Sequence, residues 1–199
     1  MRHFTIGPPL VVRGRKFKGI RGYAGKPFHP PLTDFPIVSY VLGALFDVLS
    51  WLLYGGHEKL AGELFHAATW VFLAGAAVSV LAAITGWADW ASSSEPGTQA
   101  RRTINTHAII MITVTVLTLI NLALRLTTWL DRESTPLSLA ILSVIIAVLV
   151  STGAAYGGSM VYDYGFNVET AGDSPVWHQS ERDVYPGQKS EPEAISDRV

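Results

Sequence analysis

The sequence predicts an all-α fold: a four-helix transmembrane bundle with a flexible N-terminal arm and a disordered C-terminal tail. Three observations carry this. Only 16% of the 199 residues are charged, against about 25% in soluble domains. The charges also cluster, with Arg2, Arg13, Arg15, Lys16, Lys18, Arg21 and Lys26 at the start and Asp and Glu crowding the end. Between them lie four apolar blocks, each long enough to cross roughly 30 Å of hydrocarbon. The division that follows is a basic juxtamembrane arm over 1–28, a membrane domain over 29–165 and a polar tail over 166–199.

Composition excludes several chemistries. The chain has no cysteine, so it offers no disulfide, thiolate metal site, covalent c-type haem or iron–sulfur cluster. A net charge of −1 makes no case for nucleic acid. No apolar run follows Arg2 closely, so a cleaved signal peptide is not expected. The arm, rich in Gly and basic residues, suits anionic lipid, at about 1 kcal/mol per basic residue near the surface.

The run His29-Pro30-Pro31-Leu32-Thr33-Asp34-Phe35-Pro36 opens the membrane domain. Proline is welcome only in the first turn of a helix. Pro36 therefore reads as the start of helix 1, expected over about 36–54, with Asp34 as its cap. Tyr40, Gly43, Asp47 and Tyr54 share one face of it. Helix 2, over about 65–87, carries Ala68, Gly75, Ser79, Ala82 and Gly86, small residues that let helices approach closely. It closes on Trp87-Ala88-Asp89-Trp90. Helix 3, over about 104–129, has a single stripe: His107, Met111, Val114, Thr118, Asn121 and Arg125, at spacings of four, three, four, three and four. In lipid such a stripe must face protein or water. Helix 4, over about 137–161, repeats small residues every four positions and ends near Gly157-Gly158 and Tyr162.

Four crossings put both termini on one side, side A. Side A holds the seven basic residues of the arm with Arg101 and Arg102, while the side B loops hold Lys59 and Arg132. The positive-inside rule places side A, and both termini, in the cytoplasm.

The order of short motifs resembles a known family. His-Pro and Asp-Phe-Pro precede helix 1, Asp47 lies inside it, Gly86-Trp87-Ala88-Asp89 closes helix 2, Arg102 and His107 open helix 3, and Gly157-Gly158 with Tyr162 closes helix 4. Over about residues 29–165 this is similar to the bacterial four-helix membrane proteins grouped as domain of unknown function 2231. The commoner family pattern has a histidine where this chain has Thr33. The resemblance implies a multi-pass protein of the bacterial inner membrane. Some members are fused to Rieske or cytochrome domains, which implies redox proteins or a larger membrane complex as partners.

Two sites are expected. A lone Asp at mid-membrane costs about 2.5–3.5 kcal/mol, so Asp47 should pair across the bundle with Asn121 or Arg125, as a structural lock. At the side A mouth, His29 and His107 can ligate a metal or a b-type haem, which needs no cysteine. Asp34, Asp89, Arg102, Gly157, Gly158 and Tyr162 are the other candidates for binding that cofactor: carboxylates to orient the imidazoles, an arginine for a propionate, and glycines for flat walls. No catalytic motif is present. The expected function is a non-enzymatic membrane module binding a cofactor or ion at its cytoplasmic mouth, most plausibly b-type haem for electron transfer. The alternative is a structural or accessory subunit without a cofactor.

Overall fold

The computed structural model describes residues 20, 27–93, 96–128 and 132–166, within one unit of residues 17–167. Among them run four helices: α1, His29–Leu53; α2, Glu58–Ser93; α3, Gln99–Thr127; and α4, Leu137–Tyr162. All four are long and apolar enough to cross a membrane, and the expected all-α bundle stands. The expectations for most of the arm, for residues 129–131 and for the tail beyond 166 lie outside the described residues.

Three helix starts differ from the sequence expectation. α1 begins at His29 rather than Pro36, because Pro30 and Pro31 sit at its second and third positions, within the first turn, where a missing N–H costs nothing. Pro36 is then an interior, buried residue. Asp34 caps nothing; it is an exposed residue of the second turn. α2 begins at Glu58 because Leu60 to Phe65 continues the helix instead of leading into it. α3 begins at Gln99: Gly97 turns the chain with φ +82°, and the Thr98 side chain accepts from the Arg101 amide at 3.1 Å, capping the first turn.

α1 lies between α2 and α4, α3 packs chiefly on α4, and the α2–α3 contact is the slightest. α1 and α3 therefore stand diagonally. The polarity is that of a membrane bundle. Val38, Trp70, Ile84, Ile109, Ile112 and Val148 point outward, while Asp47, Thr118, Asn121, Arg125 and Ser143 are buried. The apolar centre is Tyr40, Phe72, Val114, Leu122, Ile146 and Val150. Tyr40 stacks on Phe72 with ring centroids 5.7 Å apart. Two glycines bring α1 and α2 together. A Cβ on Gly43 would lie 2.6 Å from Phe72, and one on Gly75 would lie 2.8 Å from the Ser39 Cβ.

Toward side B the diagonal is bridged. Arg125 is the largest fully buried side chain. Its Nη2 donates to Asp47 Oδ2, its Nε to Asn121 Oδ1 at 2.6 Å and its Nη1 to Thr69 Oγ1 at 3.1 Å. Asp47 also accepts from Ser143 Oγ at 2.5 Å and from Thr135 Oγ1 at 2.9 Å. Asn121 Nδ2 donates to Ser143 Oγ at 2.9 Å. One residue or more from each helix, and one from the α3–α4 loop, thus closes on a single ion pair.

Removing one partner of such a pair strands a buried charge, at about 3–5 kcal/mol. Asp47→Ala should therefore lower the thermal midpoint in detergent sharply. The double variant Asp47→Leu with Arg125→Leu should regain much of the loss; a double variant no better than the worse single would show that the pair is not the lock.

Candidate functional site

The same diagonal carries a second pair at the other end. His29 and His107 precede Asp47 and Arg125 by equal intervals (47 − 29 = 125 − 107 = 18), about 27 Å of helix. Each imidazole is held by its own hairpin in the same way. His29 Nδ1 lies 2.9 Å from the Ala82 carbonyl of α2. His107 Nδ1 lies 2.8 Å from the Gly153 carbonyl of α4. A carbonyl oxygen only accepts, so Nδ1 carries the proton in both rings and the neutral form leaves Nε2 with a free lone pair. Thr85 Oγ1 stands 3.4 Å from His29 Nδ1.

A glycine lies beside each ring. In a helix the residue four positions on lies directly over a given carbonyl, and here that residue is Gly86 over Ala82 and Gly157 over Gly153. A Cβ on Gly86 would lie 2.6 Å from His29 Cε1; one on Gly157 would lie 3.5 Å from His107 Cε1. Gly86 thus leaves room for the His29 ring itself, while Gly157 stands in ordinary contact with the His107 ring. A Cβ on Gly158 would meet only Tyr162, at 3.9 Å.

The remaining candidates divide. Asp89 is 7% exposed, and its Oδ1 has no hydrogen-bond partner. It follows Ala82, Thr85 and Gly86 by seven, four and three residues, on the face of α2 that receives His29. Asp34 and Arg102 are exposed, and the Tyr162 side chain is 87% exposed, so these three stand outside the enclosed group. Among the described residues no three His, Cys, Asp or Glu side chains come together as a metal site. The carbonyls of Ala82 and Gly153 and the hydroxyl of Thr85 were not foreseen. No residue type in the sequence marks these carbonyls, since every residue carries one. At side B, His66 lies on a cleft of about 620 Å³ with Glu58, Lys59, Gly62, Glu63, Arg132 and Glu133. Its charged side chains are exposed and of both signs.

The glycine geometry separates two small changes. Gly86→Ala should displace the His29 ring and break its bond to Ala82, whereas Gly157→Ala should leave His107 in place. Nitrogen NMR of ¹⁵N-histidine-labelled protein checks this, through loss of one Nδ1-protonated signal in the first variant and none in the second.

No curated protein and no solved structure matches the chain. The sequence profile of a predicted membrane-protein family, domain of unknown function 2231, matches residues 25–170, an interval that takes in all four helices and both cross-bundle pairs. The chain belongs to that family of membrane proteins.

Proposed function

We propose that the bundle binds b-type haem between His29 and His107 at its side A mouth and serves electron transfer. The observation that supports this is the matched anchoring of the two imidazoles. A histidine that ligates a metal through Nε2 commonly gives its other N–H to a carbonyl or carboxylate, which fixes the tautomer and the ring plane. Here Ala82 and Gly153 take those protons, at 2.9 and 2.8 Å, and both Nε2 atoms remain for a ligand.

When bound, haem supplies a reversible one-electron couple. The chain's own residues do the rest. His29 and His107, on diagonal helices, would hold the iron through their Nε2 atoms. Gly86 lets the His29 ring sit close to α2. The apolar exterior keeps the pair in a low dielectric. Arg102, exposed on the same side, is the cation for a propionate. A second reading, an accessory subunit without a cofactor, draws on the Asp47–Arg125 lock, which holds the helices with the mouth empty or filled. On the first reading the partners are redox proteins or a larger complex in the bacterial inner membrane, with both termini cytoplasmic.

Protein purified from cells supplied with haem should show the visible bands of a six-coordinate, bis-imidazole haem. His29→Ala or His107→Ala should abolish that spectrum while the folded helix content is kept. A colourless wild-type protein that takes up no added haemin would leave the accessory-subunit reading.

Sidedness has its own check. Reporter fusions after Val199 and in the loop near Pro136 should report cytoplasm and periplasm respectively; the reverse pattern would move the mouth to the periplasmic face.

A further inference from the structure

We infer that Asp89 sets the redox poise of the histidine mouth, as a positioned negative charge that favours the oxidised form; this rests on the reading just given. Among the described residues two carboxylates are buried, and they are treated very differently. Asp47 is met by a guanidinium and two hydroxyls. Asp89 is comparably enclosed, at 7% exposure, yet its Oδ1 has no partner. The Ile20 backbone amide donates to the carboxylate, but leaving the other oxygen buried without a hydrogen bond is costly, and that backbone contact does not account for it.

Its position does. Ala82 accepts from His29, Thr85 stands beside the same nitrogen, and the ring rests on Gly86. Asp89 follows the last two by four and three residues, which puts it on the same strip of α2, about 4.5 Å of axial rise beyond Gly86. Asp89 is therefore about one turn along α2 from the glycine against which the imidazole is seated. Little water reaches so enclosed a position, so a negative charge there acts strongly. A ferric bis-imidazole haem iron carries one more positive charge than the ferrous form. Asp89 stabilises the ferric state and lowers the midpoint potential. It acts through the field at the iron, without ligating it, as burial and nearby charge tune haem centres generally.

The test uses the full chain in detergent, reconstituted with haemin in mildly alkaline buffer and titrated potentiometrically while the visible spectrum is followed. Asp89→Asn removes the charge and keeps the shape. It should shift the reduction equilibrium about tenfold toward the ferrous form, about +59 mV for one electron. Through the same cycle, haemin affinity should fall about tenfold while affinity for ferrous haem holds. Asp89→Ser should shift the potential in the same direction, and Asp89→Glu should stay near wild type. Neutral variants with an intact bis-imidazole spectrum and a wild-type potential would overturn the role of Asp89 and leave the histidine reading standing. A wild-type chain with no bis-imidazole spectrum would overturn both.

Discussion

The buried charge of Arg125 is the constraint on which the rest of the bundle depends. A guanidinium cannot be deprotonated to escape the membrane interior, and lipid offers it no hydrogen bonds. It must therefore be met by protein, and it is met from every side: Asp47 on α1, Thr69 on α2, Asn121 on its own helix, and, through Asp47, Ser143 on α4 and Thr135 in the loop before it. Each contact fixes the height and rotation of one helix. Phe65 and Phe72 add aromatic faces 5.3 and 5.1 Å from the guanidinium carbon. Apolar packing alone specifies register weakly in a membrane, where the lipid is as apolar as the core. A buried charge with directional donors specifies it strongly.

The register set at one end determines what happens at the other. α1 and α3 carry their chemistry at the same interval, so a bundle locked at Asp47 and Arg125 brings His29 and His107 to matching heights, about 27 Å away. The two ends then differ. Asp47 and Arg125 reach across the diagonal and satisfy each other. His29 and His107 each turn back to a carbonyl of their own hairpin, leaving a nitrogen lone pair on each ring. One end of the bundle is chemically closed, and the other keeps unspent coordinating capacity beside an unpaired carboxylate oxygen.

The parts of this arrangement that were legible in the sequence were those written in residue type. The stripe from His107 to Arg125 had the period of one helix face, and all six of its members lie on the inner side or partly so. Asp47 demanded a partner on energetic grounds, and residues of helix 3 were the expected ones. Pro36 has the look of a first-turn proline, but Pro30 and Pro31 already fill the first turn of α1. Gly86 reads in the sequence only as a small residue of helix 2; that it leaves room for the His29 ring depends on how α1 and α2 pack. Asp34, Arg102 and Tyr162 were grouped with the mouth because they belong to the same end of the chain's crossings. Sharing an end does not fix rotation, and the Tyr162 side chain turns out to the surface.

By itself the sequence determined the class and the inventory: four apolar helices, a cysteine-free chain, an acid and an arginine that had to be buried, and histidines at one end. Those follow from composition and period, which are properties of single segments. Only the tertiary structure decided which helices are neighbours, that the ion pair and the histidines lie on one diagonal, and that the protons of both imidazoles go to the backbone at Ala82 and Gly153. Every residue has a carbonyl, so no residue type advertises the one that a distant side chain will reach. That choice is made by the stagger and rotation of packed helices, which arise only when all four are assembled.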